Sequence, residues 1–286
     1  MRPLVLALVA VATIVVADVT PLLANSLQIQ PTIYRDISLA KGEKKKGFVD
    51  VANPSAEKQV VIMSVQGFRQ IDDSGSLTFF DDKQIAEGLL LDLEEFELGP
   101  REAARVYFLL DGTKLPSGDV FAGVFASNKP SEVAAGSQQA VRVGTLFVIS
   151  NGTPASHEAD VTRLQVSPVQ FGDRISATID VKNTAGEGAS TGFFPEVAVA
   201  TKPYGEKTVD GPLLFAGRTR TIDYSVPGNY FGPILVSAKV GSSEKSSLIF
   251  AITGYWRWLS FVLLATVILA VLIRQLRTLR NTAPKD

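Results

Sequence analysis

Apolar and polar positions alternate in short runs over most of this chain, and Gly, Pro, Asn or Asp sit between them. Between about Asn25 and Gly254 no stretch keeps a 3.6-residue apolar period, so the pattern predicts strands and turns. A first set of runs covers 28–35, 47–53, 59–68, 77–80, 89–98, 103–110, 119–127 and 140–150. Alternation is clearest in Phe48-Val49-Asp50-Val51 and from Val60 to Val65. Turns are predicted at Asn53-Pro54-Ser55, at Asp72-Asp73-Ser74-Gly75 and at Leu98-Gly99-Pro100-Arg101. The polar stretch from Asn128 to Gln139 reads as a long hairpin loop. Residues 150–160 read as a boundary, because apolar content drops there and turn residues cluster.

A second set follows at 161–168, 174–183, 193–201, 212–218, 220–226, 234–241 and 247–253. Runs at this spacing, over roughly ninety residues, match an immunoglobulin-like sandwich rather than a parallel α/β sheet. The expected fold is therefore all-β, with two tandem immunoglobulin-like β-sandwich domains at 25–150 and 151–254.

The two ends break the alternation. Arg2 precedes an uncharged apolar run from Pro3 to Ala17, which has the length of a signal-peptide core and falls short of the roughly 20 residues a spanning helix needs. Ala24 is the candidate cleavage residue of a signal peptide at 1–24, with Leu22 two places before it; an uncleaved anchor is the alternative. At the other end no charge occurs from Trp258 to Ile273. Tyr255, Trp256 and Trp258 precede or open this run and Arg274, Arg277 and Arg280 follow it, so an aromatic belt and a positive-inside tail bracket a predicted transmembrane helix at 255–273. Arg257 would snorkel outward. The expected topology is single-pass type I, with the bulk of the chain outside and a basic tail at 274–286 in the cytoplasm.

Composition narrows the chemistry. The 28 Lys+Arg against 29 Asp+Glu leave a net charge of -1, which removes a global electrostatic reason for nucleic-acid binding. With no cysteine there are no disulfides, thiolate metal sites or cysteine nucleophiles, and a single histidine excludes multi-histidine metal sites. A cysteine-free exported chain fits a single-membrane bacterium. Asn151-Gly152-Thr153 is formally a glycosylation sequon and also an ordinary Asn-Gly turn.

Several motifs carry a resemblance. Lys41-Gly42-Glu43, then VDVANPS at 49–55, then a strand and LEEFELGPREAARVYF at 93–108, look like the first domain of PapD-like immunoglobulin-fold proteins, with Gly99-Pro100 where Pro-Gly is usual. LPSGDVFAGVFAS at 115–127 and VRVGTLFVIS at 141–150 resemble the WxL-interacting protein family of Gram-positive bacteria. VKNTAGEGASTGFFPEVAV at 181–199 and the stretch 213–240 are similar to that family's second domain. The resemblance implies a signal peptide, two such domains, a membrane helix and a short basic tail, with WxL-type surface proteins and peptidoglycan as partners. Arg35 stands where PapD-like chaperones place a basic cleft residue for a client carboxylate.

Catalytic constellations are scarce. No Gly-x-Ser-x-Gly elbow occurs, and His157 is expected to be a solvated residue between domains rather than a triad member. Asp72-Asp73-Ser74-Gly75-Ser76 is only a fragment of a calcium loop. Asp92 and Glu94 are expected on one face of one strand, its wet side unless they act as paired carboxylates. The glycine-rich stretch 186–192 lacks the Walker lysine and leads into Phe193 and Phe194, which are either core residues or an adhesive loop tip. Lys44, Lys45 and Lys46, in the densest basic run, could meet anionic polymers or protect an edge strand.

The expected function is a non-enzymatic, membrane-anchored adaptor of the bacterial envelope that needs no cofactor. It would bind a surface protein or peptidoglycan through candidate contacts at Arg35, Lys44, Lys45, Lys46, Phe193 and Phe194. A membrane-tethered chaperone working by strand complementation, and a wall hydrolase using surface carboxylates, are the competing expectations.

Overall fold

The structure is a computed structural model that describes residues 27–128, 142–153, 155–186 and 190–281, with only the backbone described at 255–259 and 275–281. The predicted signal peptide with Ala24, and most of the predicted loop at 128–139, lie outside the described residues. The chain divides into two compact units. One comprises the described residues up to Gly67, Asp81–Leu115 and Phe121–Ile149; the other comprises Phe68–Phe80, Pro116–Val120 and the chain from Ser150.

The first eleven elements in chain order are β1 (Gln28–Gln30), β2 (Ile33–Leu39), β3 (Lys44–Ala52), β4 (Gln59–Gln70), β5 (Leu77–Phe80), α1 (Lys83–Gly88), β6 (Leu89–Leu91), β7 (Glu95–Leu98), β8 (Ala103–Asp111), β9 (Gly118–Asn128) and β10 (Arg142–Asn151). One sheet has the order β1-β3-β8-β6 and the other β2-β10-β9-β4-β5, with β7 also on β4. Their facing sides bury Val49, Val51, Val106 and Leu110 against Val61, Val124 and Ile149. Rings from both sheets meet in the middle. Tyr34 stacks on Phe147 at 5.0 Å, and Phe108 meets Phe147 edge-on at 5.0 Å. Alternation with a buried apolar face is what makes this a sandwich.

In the first set, two runs that the sequence reads as single strands are each two, as is 193–201 in the second set, which divides into strands at Gly192–Phe193 and Glu196–Lys202. Residues 28–35 break at Pro31, which has no N–H for a ladder. β1 pairs with β3, while β2 joins β10 in the other sheet. Thr145 Oγ1 donates to the Pro31 carbonyl (2.6 Å) and Leu146 N to Thr32 O (3.0 Å), which fixes the crossing. Residues 89–98 likewise change sheets. β6 pairs with β8 and β7 with β4, so Asp92 and Glu94 lie in the crossover and share no strand face. Asp92 Oδ1 is occupied by the Tyr107 N–H at 2.8 Å. The helix α1 also goes unread, because six residues are too few to display a helical period. Its one signal was Asp82, whose Oδ1 caps the helix by accepting from Ile85 N at 3.0 Å.

The remaining strands are β11 (Ala159–Gln165), β12 (Val169–Gly172), β13 (Arg174–Asn183), β14 (Gly192–Phe193), β15 (Glu196–Lys202), β16 (Gly205–Asp210), β17 (Leu214–Phe215), β18 (Thr219–Pro227), β19 (Phe231–Val240) and β20 (Ser243–Thr253), followed by α2 (Tyr255–Asn281). The sheets are β11-β13-β18, β12-β20-β19-β15-β16 and the two-stranded β14-β17. Val161, Ile175, Ile179 and Ile222 of the three-stranded sheet share one core with Val197, Val199, Ile234, Val236 and Ile249 of the five-stranded sheet. β12 and β16 are absent from the sequence expectation. β12 runs parallel to β20, with Val169 opposite Phe250 and Phe171 opposite Ile252. The fold is mostly β; α1 is a helix the expectation lacks, and α2 begins at Tyr255, where the expected C-terminal helix begins.

Candidate functional site

The two motifs behind the PapD-like resemblance come together in the first unit. Asn53 follows β3 and is buried. Its Nδ2 donates to the carbonyls of Glu57 (2.7 Å), Gly99 (2.9 Å) and Leu98 (3.4 Å), while its Oδ1 accepts from Ser55 N (3.0 Å) and Ser55 Oγ (2.6 Å). The Asn-Pro-Ser turn and the Leu-Gly-Pro-Arg turn are thus one hydrogen-bonded knot, closed by Asn53 N on Glu102 O at 2.9 Å and Arg101 N on Ser55 O at 3.1 Å. Every donor and acceptor of the Asn53 side chain is engaged, so this is structural rather than reactive machinery.

Around it, the outer face of the four-stranded sheet carries charge and aromatic surface. Arg105 makes a bidentate pair with Asp50 (2.8 and 3.0 Å) and lies 3.7 Å above the Phe48 ring. That hydrogen-bonded guanidinium pulls the Asp50 carboxyl below its ordinary range. Tyr107, 53% exposed, stands beside them. Lys44, Lys45 and Lys46 open β3. Lys44 Nζ pairs with Asp111 Oδ2 at 2.9 Å, and Lys45 and Lys46 are exposed. Hydrogen bonds from the Thr113 hydroxyl and then from Lys44 hold the Asp111 carboxyl at about 2. β1 covers only Asp50–Ala52 of β3, so among the described residues the stretch from Lys44 to Val49 is paired on one side, with β8. Arg35 is exposed on β2.

In the second unit His157 is not merely solvated. Its Nε2 lies 2.8 Å from Oδ2 of Asp119, which is buried and also accepts from Gly192 N at 3.1 Å. The imidazole stacks on Phe193 at 4.8 Å, so Phe193 is a packed partner of the histidine rather than a loop-tip anchor; Phe194 is half-buried. The hydroxyl in this cluster, Ser190 Oγ, donates to the Asp119 carbonyl (2.8 Å), so the imidazole does not hold it as a nucleophile. The Asp72 turn closes on itself: Oδ1 accepts from Ser74 Oγ, Gly75 N and Ser76 N, and these bonds, the Ser74 hydroxyl first, hold the carboxyl at about 2. Among the described residues no group of three or more acidic or histidine side chains is disposed to hold a metal ion.

One surface was missed by sequence reasoning. The outward face of the five-stranded sheet is apolar at one end, where Phe171 is 67%, Phe231 69% and Leu248 69% exposed. Its signal in the sequence was SLIFAIT, an unbroken apolar run that reads as a strand buried on both faces. Here the same run has one face in the core (Ile249, Ala251) and one outside (Leu248, Phe250). β20 leads directly into α2. The described apolar side chains of α2, from Phe261 to Ile273, are all exposed. Among the described residues no helix is long and apolar enough to cross a membrane, the described side chains of α2 covering only Ser260–Arg274. Of the predicted interface anchors, Arg274 is exposed, and Tyr255, Trp256, Trp258, Arg277 and Arg280 lie on the helix outside the described side chains.

No family model and no curated protein matches the chain. Among solved structures it is similar to a chain of the chaperone–tip adhesin complex of CFA/I fimbriae, at 12% identity over 78% of this chain and 98% of that one, with a TM-score of 0.40. It is also similar to a chain of the CsuC–CsuE chaperone–tip adhesion subunit complex of Acinetobacter baumannii (12% identity, 79% and 99% covered, TM-score 0.38). The CupB2 chaperone of Pseudomonas aeruginosa is a third (10% identity, 78% and 100% covered, TM-score 0.37). Overlays this loose assign neither a family nor a function.

Proposed function

We propose that the chain is a membrane-anchored, non-enzymatic adaptor of the bacterial envelope, held by α2 and binding a surface protein or peptidoglycan through its β-sandwich units. One observation carries the reading: a helix whose described apolar side chains are all exposed grows directly out of the last strand of a β-sandwich. Such a surface needs a non-aqueous partner, and the apolar run from Trp258 to Ile273, between aromatic and arginine brackets, fits a bilayer. In this reading the signal peptide ends at Ala24, residues 25–254 lie outside, and WxL-type proteins of a Gram-positive surface are the partners implied by resemblance. The Tyr107–Arg105–Phe48 face supplies aromatic and cationic contacts to such a partner, and Lys45 and Lys46 guard the adjoining edge of β3.

The test uses the full chain in vesicles. Externally added protease should reach the sandwich in oriented vesicles, and the vesicles should co-sediment with purified cell wall, or cross-link to a purified WxL-type protein, at saturable stoichiometry. A chain extracted by alkaline carbonate would overturn the anchor; folded, anchored chain that binds neither target would overturn the adaptor.

A second reading, a tethered chaperone working by strand complementation, is favoured by the one-sided pairing of Lys44–Val49 in β3. A client peptide that protects the β3 amides from exchange would support it over the adaptor.

A further inference from the structure

We infer that the apolar half of the outward face of the five-stranded sheet rests on the lipid surface beside the root of α2. This rests on the anchoring reading above and adds a second membrane contact to it. On β12, β19 and β20 the apolar and polar residues of this face are sorted along the strands, and Lys202 of β15, opposite Leu235, bounds the apolar part. Starting from the helix end, the cross-strand pairs of β19 and β20 that point outward are Phe231–Ile252, Pro233–Phe250 and Leu235–Leu248, and after them Ser237–Ser246 and Lys239–Glu244. β12 adds Val169 and Phe171 only at the apolar end, where it ends beside Ile252 and Thr253. A face designed to meet another protein has no reason to grade its polarity with distance from the helix; a face meeting a bilayer does.

The junction is also built to hold that end of the sheet against the helix root. Gly254 N donates to Gly172 O at 2.6 Å, and Thr253 N to Tyr230 O at 2.9 Å. Tyr230 N in turn donates to Thr253 Oγ1 at 2.9 Å. Phe171 and Phe231 are thus chain neighbours of the groups that clamp the residues before Tyr255. Leu248 is five residues up the strand from Thr253, roughly 17 Å of chain. The headgroup layer is only about 5–8 Å deep on each side, so Leu248 reaches it when the sheet leans on the surface, as interfacial elements do. Aromatic rings are suited to that depth.

The chain has no cysteine, which makes single spin labels straightforward. Full chain would be reconstituted in vesicles of phosphatidylethanolamine and phosphatidylglycerol. Labels would be placed at Phe171→Cys, Phe231→Cys and Leu248→Cys, with Leu264→Cys in the helix and Glu244→Cys on the polar half as references. Collision with oxygen and with a water-soluble nickel chelate is then compared. The inference expects an oxygen-to-nickel ratio at 171, 231 and 248 several-fold above that at 244 and approaching that at 264. Water-like ratios at the three sites with a lipid-like 264 overturn this inference and leave the anchor standing. A water-like ratio at 264 overturns the anchor itself. Low collision with both reagents at the three sites, a protein-covered face, assigns the surface to a second copy or another protein and also overturns the lipid contact.

Discussion

Replacing Asn53 tests whether the knot between the two first-unit turns is held by hydrogen bonds or by packing. Asn53→Ala removes the donor that serves the Glu57 and Gly99 carbonyls and the acceptor for Ser55 N. The Asn53 side chain and the Ser55 N–H are buried, and the Glu57 and Gly99 carbonyls are partly buried. Each group left without a partner costs about 1–3 kcal/mol. Partial rescue by water and by rotation of Ser55 Oγ brings the expected total to about 3–5 kcal/mol. Against the roughly 5–15 kcal/mol of a whole domain, that is a large share. With a urea slope of about 1.5 kcal/mol/M, the first unit should unfold roughly 2–3 M earlier. Hydrogen exchange resolved to peptides of β4 and β7 reads that unit separately. Asn53→Asp sharpens the test. It keeps the volume and the acceptor for Ser55, but turns a carboxylate oxygen towards three carbonyls. It should therefore be as damaging as the alanine at neutral pH. A midpoint shift under about 0.5 M for alanine, or an aspartate variant close to wild type, would refute the hydrogen-bond account.

Acid should weaken the fold in a defined window. Asp72 and Asp111 are held at about 2 in the folded chain against an ordinary value near 4. Their stabilisation is therefore complete above about pH 5 and lost as pH falls through 4 towards 2; Asp72→Asn and Asp111→Asn should each flatten the urea midpoint against pH there. Gly47→Ala should cost about 1–3 kcal/mol, because a Cβ would lie 2.3 Å from Phe108 Cζ and force that ring off Phe147; near-UV circular dichroism and the thermal midpoint would show it. Gly254→Ala should loosen the helix root, since Gly254 has φ +69° and a Cβ would fall 1.9 Å from Asn229 Oδ1; faster exchange at Thr253 and Gly254 with an unchanged first unit is the expected result.

The β character of the chain was legible because half-buried strands write their burial into alternation, as Val49, Val51, Val106 and Phe108 do. What stayed hidden depends on pairing. A proline that moves the chain from one sheet to the other, as Pro31 does, looks in sequence like a kink in one strand. The crossover at Asp92–Glu94 is masked by flanking apolar residues that continue the same rhythm in a different sheet. GEKTVD in β16 is exposed almost throughout, so no apolar pattern marks it. His157 gave no hint of Asp119, 38 residues away, and only the fold brings the two together. The outward apolar face went unread for the opposite reason, because a strand apolar on both sides implies a cover that the sequence does not identify.

The distribution of strand edges bears on how a partner would be held. Edges invite strand addition only where they are long, flat and uncharged. β1 and β6, at the ends of the four-stranded sheet, have three residues each, and β12 has four. β11 carries a register shift between Val161 and Arg163. β2 is bent by Asp36, which has a left-handed φ of 54°. β16 presents Glu206, Lys207 and Asp210, and β18 presents Arg220 and Asp223 before ending at Pro227. The half-covered part of β3 keeps an unbroken register with β8, and three lysines open it. Adding a strand there brings a second backbone beside Lys44, Lys45 and Lys46, which favours an acidic partner segment and discriminates against an apolar one. A chaperone that donates or accepts apolar strands would need the reverse. Recognition by exposed faces, with the charged edges keeping other strands away, is the arrangement these residues fit. Replacing Lys45 and Lys46 together with glutamate should then leave wall or surface-protein capture within about twofold if the faces carry it, a loss under 0.5 kcal/mol. A loss above tenfold would move recognition to the β3 edge.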